Sequence, residues 1–199
     1  MADGTGDALP PLVLVTVGTD HHRFDRLMQW VERWIAFGGG ESVRCVVQHG
    51  SSTPPAGAEC HRLLPNARLN LLMESAAAVV AHGGPGTIMS ARAAGVVPIV
   101  VPRSPQHLEH VDDHQVLFSR RLAAEGRIVV AEDEADLGVL LDRALGGDAF
   151  FRCEPGDDGV AATVDRFGRL VEHAVTLPRR RWTLSRPWRE VPGYLTEPA

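Results

Sequence analysis

Residues 82–87 read His-Gly-Gly-Pro-Gly-Thr, between an apolar run over 76–81 and a helical pattern over 88–94. Glycine takes positive φ and lets a ligand approach the main chain. A helix that starts behind such a turn points its unpaired N–H groups and the positive end of its dipole into it. That place binds phosphate without a lysine, although His-Gly-Gly-Pro-Gly also fits an ordinary tight turn. The His82 imidazole suits either a core position or a hydrogen bond to a diphosphate oxygen. The Thr87 hydroxyl suits either the helix cap or a phosphate.

Other residues with chemistry cluster in loops that follow apolar runs. Gly18, Thr19, Asp20, His21 and His22 follow the run over 12–17. Asp20, His21 and His22 are the candidates for a general base, with ordinary solvation as the competing reading. No third ligand sits beside His21 and His22 at a metal-type spacing. His49 and Gly50 follow the run over 43–48. Arg103 follows the run over 98–101 and suits a phosphate, a sugar carboxylate or a surface salt bridge. The segment Glu109-His110-Val111-Asp112-Asp113-His114-Gln115 then opens a helix. His110 and His114 lie at i and i+4, but sequence fixes no third ligand for a metal.

These loops need elements to hold them. The runs over 12–17, 43–48, 76–81 and 98–101 are continuous and rich in β-branched residues, the pattern of strands covered on both faces. A short extended segment over 58–64 and a last strand over 127–131 join them. Phe24, Leu27, Met28, Val31 and Ile35 mark one face of a helix over 24–37, which Gly38-Gly39-Gly40 ends. Further helices are expected over 66–75, 116–125 and 135–145. Strand, glycine turn, helix and strand over 76–101 make a βαβ unit of near-minimal size. The fold expected is α/β, a Rossmann-like parallel sheet flanked by helices. In open α/β sheets, ligands gather at the carboxyl ends of strands.

The chain has 199 residues, 44% hydrophobic and 23% charged, enough for one sizeable core. Its net charge of −5 argues against a general nucleic-acid binder. Cys45, Cys60 and Cys153 form neither a metal spacing nor a disulfide framework. No apolar run reaches the ~20 residues of a transmembrane helix, and the first ten residues lack signal-peptide character. A cytoplasmic protein is expected. Val160, Val164, Phe167 and Val171 mark a further helix, and Arg179-Arg180-Arg181-Trp182 and Arg186-Pro187-Trp188-Arg189 follow it. Arginine with tryptophan suits a protein interface, an anionic membrane surface, or a tail folded over its own domain.

Three ordered motifs resemble the C-terminal domain of family 28 glycosyltransferases, one half of the GT-B fold. They are 82–87, the Pro-Ile-Val-Val-Pro-Arg of 98–103 and the segment 109–115, with Val-Thr-Val-Gly-Thr at 15–19 in support. The match is nearest to the small donor-binding subunits of two-chain N-acetylglucosaminyl or exopolysaccharide β-glycosyltransferases. Residues 1–11 are expected as a disordered lead-in, and 148–199 as a C-terminal helix and Arg/Trp tail; the resemblance implies a nucleotide-sugar-binding domain over 12–147 and a partner contact for that tail. It implies a donor site of Gly18, Thr19, His82, Gly83, Gly84, Gly86, Thr87, Ser90, Arg103, Asp113, His114 and Gln115, with no metal and no cofactor beyond the nucleotide-sugar. It implies hexosyl transfer from a UDP-linked donor to a lipid-linked acceptor in polysaccharide biosynthesis. A membrane-associated partner subunit would hold that acceptor in a heterodimer at the inner membrane face. One departure stands out. Many family members carry a glutamate three residues after the Thr87 position, on the ribose hydroxyls, where this chain has Ser90. A serine makes one such bond but no bidentate clamp. Weaker donor binding, an altered donor, and a noncatalytic activating subunit all fit that change. A phosphosugar epimerase or isomerase on a similar sheet is a further alternative.

Overall fold

The computed structural model describes residues 9–39 and 43–156. The helix expected around Val160–Val171 and the Arg/Trp tail lie outside the described residues, as do residues 1–8 of the expected lead-in. Pro11, at the end of that lead-in, accepts a hydrogen bond from the Arg44 N–H at 2.9 Å.

Six strands form one sheet: β1 (Leu12–Thr16), β2 (Arg44–Gln48), β3 (Glu59–His61), β4 (Ala76–Ala81), β5 (Ile99–Val100) and β6 (Val129–Val130). Their order is β3-β2-β1-β4-β5-β6, and every pair is parallel. Among the described residues, five α-helices connect or follow them: α1 (Asp25–Trp34), α2 (Asn66–Ser75), α3 (Pro85–Ala93), α4 (His114–Ala124) and α5 (Glu134–Leu145).

Both faces of the sheet are covered, which is why its strands read as unbroken apolar runs. Val13, Val15, Val47, Val80 and Ile99 pack with α1 and α5 residues such as Leu27 and Leu141 on one face. Leu12, Leu14, Val46 and Val79 pack with Leu72 and Met73 of α2 and Ala91 of α3 on the other. Val100 meets Ile88 of α3 and Phe118 of α4 on that same side. Val13, Leu14 and Val15 are fully buried, and each such side chain contributes about 1.5–3 kcal/mol relative to exposure.

Two boundaries differ from expectation for clear reasons. The helix expected over 24–37 ends at Trp34 and widens over Ile35–Gly39, where Gly38 has φ 103° and Phe37 stands exposed. The helix expected from Glu109 begins only at His114. Glu109 is committed elsewhere. Its carboxylate takes two hydrogen bonds from Arg26, at 2.9 and 2.8 Å, and one from the Ser104 N–H at 3.1 Å. Its carbonyl accepts from Arg103 at 3.1 Å. Before it, Pro105–His107 form a 3₁₀ turn, and Leu108 takes φ 58°. The loop is thus tied to α1 and cannot wind into α4.

Candidate functional site

The order β3-β2-β1-β4-β5-β6 has its switch point between β1 and β4. The helix after β1 covers one face and the helix after β4 the other, so the chain leaves a crevice at their carboxyl ends. A cleft of about 430 Å³ opens there. Gly18 and Thr19 from the loop after β1 form one wall. His82, Gly84, Gly86, Thr87 and Ser90 form the other, and Asn66 and Asn70 of α2 close one side.

The floor of that cleft is built around His82. Its imidazole is buried, and its backbone N–H donates to the Thr16 carbonyl at 3.3 Å. A Cβ on Gly84 would overlap the ring, and so would one on Gly18, which itself sits at φ +74°. Both glycines are therefore required by the histidine between them. Burial, then the charge of Arg103, pushes the imidazole down to about 4, so it is neutral at pH 7. Its Nδ1 has no hydrogen-bond partner among the described residues.

Helix α3 opens into the same cleft. Gly84 is its N-cap, Pro85 is its first residue, and no side chain caps it. Proline lacks an N–H, a group left unpaired at that position in any case. The Gly86 and Thr87 N–H groups remain as orphan donors in the first turn. Thr87 lies inside the helix rather than at its cap, so its hydroxyl is not needed there. A Cβ on Gly86 would meet nothing within 4 Å.

The remaining residues of the expected donor set do not line this cleft. Gly83 is buried against α4: a Cβ there would come within 2.9 Å of Ser119 Oγ and 3.0 Å of Gln115 Cβ. Gln115 is buried too, and its Oε1 has no partner among the described residues. Asp113 and His114 are exposed, and Asp113 lines a separate hollow with Pro102, Ser104 and Arg120. Arg103 has no solvent exposure. Its Nη1 donates to the His22 carbonyl at 2.8 Å and its Nη2 to the Val17 carbonyl at 3.0 Å. Its guanidinium also lies 4.9 Å from the Phe24 ring centroid. It works as an internal clamp.

Asp20, His21 and His22 stand together at the loop after β1. His22 Nδ1 is 2.7 Å from Asp20 Oδ1, and the His22 N–H donates to the same oxygen at 2.9 Å. Burial works to raise the Asp20 carboxyl, but the hydrogen bonds from His22 and the charges of Arg103 and His22 outweigh it and hold it at about 2. The carboxylate is thus ionised over the physiological range.

Gln48 is a cleft residue that the sequence analysis does not single out. It is buried, and its Nε2 donates to Thr16 Oγ1 at 3.3 Å and to the Gly18 carbonyl at 3.2 Å. Its Oε1 accepts from the Leu64 N–H at 3.0 Å. One carboxamide thereby fixes the start of the loop after β1 and the approach to α2. Its signal was a polar residue closing an apolar strand that is covered on both faces.

The parallel sheet, the switch-point cleft and the uncapped helix beside it define a Rossmann-type α/β protein. Residues 12–140 match glycosyltransferase family 28, C-terminal domain, and the chain belongs to that family. Its fold is the C-terminal half of a GT-B glycosyltransferase. No curated protein matches it. Among solved structures it is similar to CalG4, the calicheamicin glycosyltransferase, at 18% identity and TM-score 0.53, covering 85% of this chain and 40% of that one. It is similar to the spinosyn forosaminyltransferase SpnP at 24% identity and TM-score 0.53, covering 83% and 44%. The glycotransferase of kitacinnamycin matches at 18% and TM-score 0.51, covering 87% and 43%. The chain therefore spans less than half the length of these structures. No helix among the described residues is long and apolar enough to cross a membrane.

Proposed function

We propose that this chain is the donor-binding half of a glycosyltransferase, carrying a nucleoside diphosphate sugar, UDP-linked by preference, in the cleft between β1 and β4. The observation that carries this reading is the uncapped start of α3, whose Gly86 and Thr87 N–H groups open into the cleft beside Gly18 and His82. Two backbone donors and a helix dipole suit a diphosphate, and they stabilise the charge that grows on it as the sugar leaves. Neutral His82 adds at most one donor. Ser90 lines the same cleft and offers one hydroxyl toward a ribose. The acceptor, lipid-linked in this reading, would sit on a second chain at the cytoplasmic membrane face.

The acceptor hydroxyl must lose a proton. Asp20, His21 and His22 are the candidates on this chain. His22 with Asp20 against its Nδ1 has the better geometry, because the carboxylate orients the ring and leaves Nε2 open. A residue of the partner is the alternative. The Ser90 substitution keeps alive a second reading, a subunit that binds nucleotide and activates its partner without catalysing.

Thermal unfolding with UDP, GDP, dTDP and UDP-sugars tests the donor site. A ligand at 100 times its Kd adds about 2.7 kcal/mol of stability. A midpoint raised by UDP compounds alone supports the reading and identifies the base. Unchanged midpoints with every nucleotide would overturn it for the isolated chain. Sugar transfer that appears only when a partner chain is added supports the two-chain arrangement, and transfer by this chain alone would reject it.

A further inference from the structure

The loops after β1 and β5 bring together side chains that lie far apart in sequence. Asp20, His21 and His22 each present a donor atom, and the three atoms lie within 4.8 Å of one another. Within that group, Asp20 Oδ1 is 2.7 Å from His22 Nδ1 and 3.4 Å from His21 Nδ1. From the other loop, His110 Nε2 stands 3.7 Å from Asp20 Oδ2. Ligand atoms around a tetrahedral zinc ion with bonds of about 2.0–2.1 Å are spaced by about 3.3 Å. The separations of the three histidines from the Asp20 carboxylate bracket that value.

We propose that Asp20, His21, His22 and His110 form a binding site for a divalent transition-metal ion of the zinc, cobalt or nickel type. Three imidazoles with one carboxylate suit these ions, whereas magnesium and calcium take oxygen ligands. Two further features fit a metal site. The second ring nitrogen of His110, Nδ1, lies 3.3 Å from Asp112 Oδ1 and accepts from the Asp112 N–H at 3.4 Å; protonated there when Nε2 binds an ion, it would donate to the carboxylate, the arrangement that orients a metal-binding imidazole. The frame is also built from beneath. Arg103 Nη1 donates to the carbonyl of His22 and to the carbonyl of Glu109, next to His110, so one buried nitrogen holds both ligand-bearing loops. The site does not rest on the nucleotide reading. An ion bound there would occupy Asp20 and His22 Nδ1, and it would pin the loop that carries Gly18 and Thr19.

Isothermal titration of the tag-free full chain with Zn²⁺, Co²⁺ and Ni²⁺, in nucleotide-free buffer, tests the site. One ion per chain is expected, with a visible-region cobalt spectrum of low-coordinate nitrogen and oxygen ligation. Asp20→Asn and His110→Gln should each weaken Zn²⁺ binding at least about tenfold, and Asp112→Asn should weaken it to a smaller degree. His107→Ala, in the same loop but outside the donor set, should bind as the parent does. The apo midpoints of the variants show that they fold. No binding of any of the three ions overturns the proposal, and so does binding that Asp20→Asn and His110→Gln leave unchanged. A UDP response that persists when zinc binding is absent would reject the metal site while leaving the donor reading intact.

Discussion

The imidazole of His82 fills the space where a Gly18 side chain would stand. Gly18 lies just beyond β1 and His82 just beyond β4, so one contact sets the width of the crevice between the neighbouring strands. Gly18→Ala should cost about 1–2 kcal/mol for its left-handed backbone alone, plus the overlap with the ring. His82→Ala in the same chain should return the overlap but not the backbone cost. A double-mutant cycle by urea unfolding measures the difference, and a coupling of about 0.5–3 kcal/mol is expected. Simple additivity would mean that the ring moves aside freely.

Gly86 gives the opposite result. Open space surrounds its missing side chain, and it lines the cleft. Gly86→Val should leave the unfolding midpoint close to that of the parent and abolish nucleotide binding by filling the diphosphate position. Unchanged binding would show that the nucleotide sits elsewhere.

Arg103 should behave as a structural residue. Three backbone carbonyls depend on its guanidinium, those of Val17, His22 and Glu109. Arg103→Met should destabilise by about 2–4 kcal/mol, since buried acceptors are left unpaired. The urea midpoint reads this directly. A fold of normal stability with nucleotide binding alone lost would instead mark Arg103 as a donor contact.

The pH profile of stability separates two groups. The folded state holds His82 down at about 4 through burial, against about 6.5 in the unfolded chain. The unfolded chain therefore binds the proton first. Stability should be full above pH 6.5 and fall as pH drops from 6.5 toward 4, by at most about 3 kcal/mol. Asp20 shifts in the same direction, from 3.8 to about 2, so its contribution is present above pH 3.8 and is lost in a more acidic window, as pH falls from 3.8 toward 2. His82→Asn should flatten the curve between pH 6.5 and 4.5 and leave the more acidic part. An unchanged slope in that window would mean that His82 takes up its proton as easily folded as unfolded.

Much of the fold was legible in the chain. The bounds Asn66–Ser75 and Ala76–Ala81 coincide with expectation. Runs such as Leu12–Thr16, apolar without alternation, determined a sheet covered on both faces and hence a parallel α/β class. The glycine turn before α3, at the end of a strand, was equally a local property. Only the tertiary structure decided which loops meet. It separated Gly84 and Gly86, in the cleft, from Gly83, under α4. It put Arg103 inside and Asp113 outside, made Gln48 a brace, and brought His110 to Asp20. Those outcomes follow from strand order and from which carbonyls a buried guanidinium or carboxamide can reach. Spacing along the chain carries neither, because a contact between the loops after β1 and β5 depends on β4 lying between those strands.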